Sequence, residues 1–136
     1  MGVHLRTSDF SFEIGTSDFL GSFFDTIEYR LTKGLFAKKY PTVLKEFYNG
    51  RLSYENLNQA ETELKEIQQR LKKFDPSKVV WDKFDLTKRP PWGDDISDEI
   101  TDLSNYFVTS DGKDLFAVLF DAIDKAKAEK SELVIE

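Results

Sequence analysis

The chain has 136 residues, and its 40% hydrophobic and 32% charged content is that of a folded globular protein. Its 19 lysines and arginines against 25 aspartates and glutamates give a formal net charge of −6, which disfavours nucleic acid and anionic membranes and favours a basic protein partner. With no cysteine, a disulfide, a thiol nucleophile and a thiolate metal site are excluded. We expect one domain over residues 1–136, cytoplasmic, with no membrane span and no signal peptide.

The N-terminal part predicts a β-hairpin followed by a helix. Residues 3–15 alternate apolar and polar side chains around a Thr-Ser-Asp cluster, which is typical of two short strands ended by Gly15. From Ser17 the apolar residues recur at spacings of three and four, so a helix should start there with Thr16 or Ser17 as its N-cap. Gly34 is the predicted end of that helix.

Two further helices are predicted in the middle of the chain. Pro41 suits the first position of a short helix that would stop at Gly50. Residues 53–74 give the clearest helical pattern, because their apolar side chains step by three and four through good helix formers. These side chains are Leu57, Ala60, Leu64, Ile67, Leu71 and Phe74.

The remaining elements complete an α+β fold. Residues 78–82 (KVVWD) and 105–110 (NYFVTS) have the β-branched and aromatic content of strands. Residues 111–130 predict a final helix, with Asp111 as its cap and Asp114 in a capping-box relation, and residues 132–136 predict a terminal strand. We therefore expect a small, mainly antiparallel sheet of four to five short strands with three to four helices packed on it.

A stiff corner precedes the strongest concentration of acidic residues. Pro90 and Pro91 restrict the backbone before Trp92, and Gly93 permits a positive φ after it, so the indole could be held in one orientation. Five carboxylates follow: Asp94, Asp95, Asp98, Glu99 and Asp102. Acids around a rigid aromatic group suit the steering and holding of a basic protein surface.

Patterns for catalysis and metal binding are weak in this sequence. His4 is the single histidine, and no thiol nucleophile or recognisable serine elbow accompanies it. Residues 94–105 and 109–120 lack the ligand spacing of a calcium-binding EF-hand, and solvated acids at a helix start explain them better. No phosphate-binding glycine loop is present. We therefore expect no enzymatic activity, no metal and no cofactor.

The candidate partner-binding residues combine aromatic and acidic side chains. They are Trp92, Asp94, Asp95, Asp98, Glu99, Asp102, Asp82 and Tyr106. Trp81 is expected in the core and Phe107 beneath it, whereas Trp92 suits the core and an interface equally. Two alternatives remain: a small-molecule or peptide-binding module in which Trp81, Trp92 and Tyr106 line an apolar pocket, and a small hydrolase that uses carboxylates.

Several motifs, in a fixed order along the chain, resemble those of a known family. They are FEIGTSDF, FFDTIEYRL, VVWD, PPWGDDIS and ITDLSNYFVTSDGKDLF. Together they resemble the immunity protein 70 family of bacterial polymorphic toxin systems, over about residues 2–134. The run Pro90 to Gly93 followed by residues 105–112 is the most specific part of this resemblance.

The resemblance implies a cytosolic antidote that binds the C-terminal catalytic domain of a cognate toxin. Many toxins of such systems are nucleases, whose substrate grooves are basic because they hold phosphates. An acidic inhibitor with an aromatic anchor could occlude such a groove. The family supplies no established contact residues, so the candidate residues above rest on the physical interpretation alone, and the oligomeric state is not predicted.

Overall fold

The computed structural model describes residues 2–32, 40–82, 84–91, 96 and 98–136. The chain forms strands β1 (Gly2–Arg6) and β2 (Ser11–Thr16), helix α1 (Ser17–Leu31), a π-helix (Thr42–Phe47), strand β3 (Arg51–Leu52), helix α2 (Leu57–Leu71), helix α3 (Leu115–Glu129) and strand β4 (Leu133–Ile135). Two short 3-10 turns lie at Tyr54–Asn56 and Pro76–Lys78. The α+β prediction is confirmed, with the hairpin, the long helices and the terminal strand where the sequence placed them.

The described strands form one antiparallel sheet in the order β2-β1-β4-β3. The C-terminal strand β4 lies between β1 and β3, pairing Leu5 with Ile135 and Leu52 with Leu133. Alternation along the strands turns one face to the core, where Leu5, Ile14, Leu52 and Leu133 are each 0% exposed and Phe12 is half-buried. The helices pack over this face.

The core joins the sheet to the helices through aromatic rings. Phe23 of α1 meets Phe107 at 5.3 Å and Phe116 of α3 at 5.4 Å between ring centroids, both edge to face. On α2 the stripe Leu57, Ala60, Leu64, Ile67 and Leu71 is buried, as the spacing predicted. Within the described part of the chain, no helix combines the length and the apolar character needed to cross a bilayer.

The observed helix ends match the predicted caps only in part. Thr16 is the N-cap of α1, and its hydroxyl accepts the Phe19 N–H at 3.1 Å. Helix α1 ends at Leu31, and Gly34, its predicted end, lies outside the described residues. Asp111 as the cap of the final helix is wrong: the cap is Asp114, whose carboxylate accepts the Ala117 N–H.

Two predicted strands are absent, and both lie between α2 and α3. Residues 78–82 form no strand because hydroxyls of α1 take the place of a neighbouring strand: Thr26 Oγ1 accepts the Val80 N–H at 3.0 Å, and Ser22 Oγ donates to the Val80 carbonyl at 2.7 Å. Residues 105–110 form only an isolated bridge, between Val108 and Asp114. That bridge also explains the late start of α3, because Asp114 pairs with Val108 in an extended conformation.

Candidate functional site

Most of the candidate residues lie in the stretch between α2 and α3, here called the connecting segment (residues 75–114). Its described part contains only the turn Pro76–Lys78 and the Val108–Asp114 bridge as regular structure. The segment is fixed to the rest of the fold at separate points. Besides Val80, the Leu103 N–H donates to the Phe74 carbonyl at 3.0 Å, and the Ser110 N–H donates to the Ile14 carbonyl at 3.0 Å. The backbone between these points is shaped by local side-chain hydrogen bonds.

Two consecutive Asx turns shape the loop that follows Trp81, here called the Phe84 loop (Asp82 and residues 84–88). Asp82 Oδ1 accepts the Phe84 N–H at 2.9 Å, and Asp85 Oδ1 accepts the Thr87 N–H at 3.1 Å. The carbonyls of the same two aspartates accept the N–H groups of Asp85 and Lys88, each at 3.1 Å. In each turn the aspartate thus accepts one N–H with its side chain and one with its carbonyl, and Asp85 also accepts the Thr87 hydroxyl.

The two turns hold apolar side chains outward. Phe84 is 89% exposed and Leu86 is 49% exposed. A hydrogen bond from the Thr87 hydroxyl, with a second from its N–H, lowers the pKa of Asp85, so this carboxylate remains ionised well below neutral pH. The Lys88 ammonium lies 3.6 Å from the second oxygen of Asp82. The loop thus presents hydrophobic groups beside acidic ones.

A second loop, residues 98–105, carries three of the predicted acids. Asp98 and Glu99 are exposed. Asp102 is half-buried, and its carboxylate accepts the Ser104 N–H at 2.8 Å, the Ser104 hydroxyl and the Thr101 hydroxyl. Burial raises the pKa of Asp102, but these hydrogen bonds outweigh it and the net pKa is lowered. Asp102 thus shapes the loop from which Asp98 and Glu99 extend into solvent.

The remaining predicted residues divide into a buried one and several not described. Tyr106 is only 5% exposed, with its ring edge to face against Phe107 at 5.2 Å. Its proposed contact with a partner is therefore corrected: the ring supports the segment from inside. Trp92, Asp94 and Asp95 lie outside the described residues.

Two of the three aromatic residues of the alternative pocket line different depressions in the described part of the chain. Tyr106 lines one of about 300 Å³ together with Arg89 and Ile100. Trp81, which is half-buried rather than fully in the core, lines another of about 260 Å³ together with Asp82. Phe107 packs against Phe23 and Tyr106. The third, Trp92, lies outside the described residues, so the single aromatic pocket stays a prediction.

Helix α1 adds acids that the sequence interpretation missed. Asp18 and Asp25 line the Trp81 depression with Asp82. They are seven positions apart, which is about two helical turns, so they share the face of α1 opposite its core stripe. Among the described residues, no group of three or more acids and histidines is placed to hold a metal ion.

The sequence interpretation also missed Phe84. The signal that could have found it is the spacing Asp-x-Phe-Asp-x-Thr at positions 82–87, because an aspartate followed two residues later by a turn N–H is a local capping pattern. An aromatic residue between two such turns belongs to no apolar helix or strand pattern, and at Phe84 the side chain is exposed at the surface.

Searches of curated proteins and of solved structures found no match. The family model of immunity protein 70 matches residues 5–135, which is almost the whole chain and includes both loops. The chain belongs to the immunity protein 70 family.

Proposed function

We propose that this protein is the antidote of a bacterial toxin and neutralises it by binding its toxin domain. The observation that carries the proposal is the family match over residues 5–135, since immunity proteins as a class have toxins as partners. The protein then acts stoichiometrically, by covering the toxin's active site, and in the cytoplasm of the cell that it protects.

The contact surface in this proposal is the acidic, aromatic face of the connecting segment. Asp98 and Glu99 are exposed on one loop, and Asp82 lies on the Phe84 loop beside Trp81. Asp94 and Asp95 would extend this negative field, and Trp92 would supply an apolar contact. Asp102 contributes indirectly, because its carboxylate already accepts hydrogen bonds within its own loop.

Electrostatic attraction gives such a surface a specific kind of partner. With a net charge of −6, the protein attracts a basic toxin domain and speeds the first encounter between the two. A nuclease is the toxin class that fits best, because its substrate groove must be basic to hold phosphates. The acids of the antidote would take the place of those phosphates.

Co-expression with the toxin gene encoded next to this chain tests the function directly. We expect growth to be rescued and a one-to-one complex to elute from a sizing column. A toxin that still kills, with no complex formed, would overturn the proposal.

Association kinetics test the surface. The double variant Asp98→Lys and Glu99→Lys should slow association at least about 10-fold at low salt and flatten its salt dependence, because the attracting charges are reversed. The matched control reverses Asp121 and Asp124, which are exposed on α3 and give the same change in net charge. Equal slowing in both variants would show that net charge alone, and not this surface, steers the toxin.

A further inference from the structure

We propose that Phe84 is the aromatic anchor of the interface and enters an apolar pocket, rimmed by basic residues, on the toxin domain. This inference rests on the proposed function and names the side chain that would hold the complex together. Phe84 is 89% exposed, whereas the other exposed large apolar side chains of the described chain lie between 38% and 49%. Burying it in a partner would remove more apolar surface from water than burying any of the others.

Hydrogen bonds restrict the backbone that carries Phe84. Its N–H is bound by Asp82, and the next residue, Asp85, binds both the N–H and the hydroxyl of Thr87. The loop is attached to α1 only four residues before Phe84, where Thr26 and Ser22 bind both backbone groups of Val80. The conformational entropy of ordering this loop is therefore lost on folding and not on binding, which favours affinity.

The charges beside Phe84 decide which partner fits. Asp82 and Asp85 lie on the same loop, and Asp18 and Asp25 line the adjoining depression with Trp81. Lys88 lines the same depression and lies 3.6 Å from Asp82, so a pocket that accepts the phenyl ring would meet chiefly the carboxylates of Asp18, Asp25 and Asp85, and its rim should carry lysines and arginines. A second copy of this chain fits poorly, because each copy has a net charge of −6.

An affinity comparison with the neighbouring gene's toxin domain, as an inactive variant, tests the anchor. Phe84→Ala should weaken binding at least about 30-fold, mainly through faster dissociation, as expected for a central hot spot. Phe84→Trp, which keeps an aromatic ring, should stay within about 10-fold of the wild type. The matched control is Phe10→Ala, because Phe10 is 45% exposed and lies before the start of β2, at the end away from α1. This control should bind as the wild type does.

Each result has a distinct meaning. If the wild type binds the toxin domain and the affinity of Phe84→Ala is within about 3-fold of it, Phe84 is not the anchor, but the proposed function remains. No binding by the wild type would overturn the proposed function itself. A wild-type dimer that Phe84→Ala converts to a monomer, measured by light scattering, would overturn the choice of partner.

The role of the turn is tested separately from that of the ring. Asp85→Asn keeps an oxygen that can accept the Thr87 N–H, whereas Asp85→Ala does not. If the fixed loop contributes to affinity, Asp85→Ala should weaken binding several-fold more than Asp85→Asn does. Equal weakening by both would overturn the pre-ordered loop and assign the effect of Asp85 to its charge.

Discussion

The carboxylate that joins α2 to the π-helix has a different structural role from the carboxylates of the connecting segment. Glu63 on α2 is 4% exposed and accepts the N–H groups of Thr42 and Val43, about twenty residues away in the chain. In the connecting segment, Asp82 and Asp85 accept N–H groups only two residues away and sit at the surface. All three carboxylates accept backbone N–H groups, but that of Glu63 joins two distant elements, whereas those of Asp82 and Asp85 shape a loop.

This difference separates stability from recognition. Loss of a buried carboxylate that joins two elements leaves buried N–H groups without acceptors, and the whole fold loses free energy of unfolding. Loss of a surface carboxylate in a turn exposes its N–H to water, which replaces the bond. Surface carboxylates in the turns of the connecting segment, such as Asp82 and Asp85, can therefore be varied for binding with little effect on the core.

The largest effect should come from Glu63→Ala. The substitution leaves the Val43 N–H, bound at 2.9 Å, and the more distant Thr42 N–H without an acceptor inside the protein. We expect the free energy of unfolding to fall by about 3 kcal/mol, measured by urea denaturation. Glu63→Gln keeps one acceptor oxygen and should lose less. Unfolding of Glu63→Ala at the wild-type urea concentration would contradict the proposed role of this carboxylate.

A smaller loss is expected where the two regions meet. Thr26→Val keeps the shape of the side chain but removes the acceptor of the Val80 N–H and one donor to the Val80 carbonyl. The free energy of unfolding should fall by about 2 kcal/mol, because a buried N–H is left unpaired. Thr26→Ser restores the hydroxyl and serves as the control. If the valine and serine variants have the same free energy of unfolding, the hydrogen bonds between Thr26 and Val80 do not stabilise the connecting segment.

The same hydroxyl explains why the fold was only partly predictable from sequence. The long helices and the hairpin follow from periodicity, as the buried stripe of α2 confirms. Residues 78–82 have strand composition, but their backbone partner is a helix side chain 54 residues earlier, at Thr26. Local propensity contains no information about such a partner. The two-residue strand β3 was missed because its pairing with β4 is set by the C-terminus.

The exposure of the candidate residues could be predicted only in part. Acidic composition drew attention to residues 82–106, where the structure shows Asp98 and Glu99 exposed. Composition could not tell that the Asp102 carboxylate is occupied by Ser104, or that Tyr106 is buried. It also gave weight to tryptophan over phenylalanine, although exposure is set by the turns on either side of Phe84 and not by residue type.

The finest distinction lies within the connecting segment itself, between Asp102 and Asp114. The net pKa of Asp102 is lowered by hydrogen bonds that outweigh its burial. Burial raises the pKa of Asp114, and one of its carboxylate oxygens is buried without a hydrogen-bond partner among the described residues. The two aspartates should therefore affect stability with opposite dependence on pH.

Asparagine at each position tests this in urea denaturation between pH 3 and pH 7. Asp102 stabilises the fold above its ordinary pKa of 3.8, and this contribution is lost as the pH falls through the lowered value. The free energy of unfolding of the wild type should thus exceed that of Asp102→Asn by more at pH 7 than at pH 3. For Asp114, the folded state disfavours the ionised carboxylate. The free energy of unfolding of the wild type should therefore fall relative to that of Asp114→Asn as the pH rises from 3.8 through the raised pKa. Parallel pH dependence in the two variants would contradict the assignment, because it would mean that folding shifts both pKa values in the same direction.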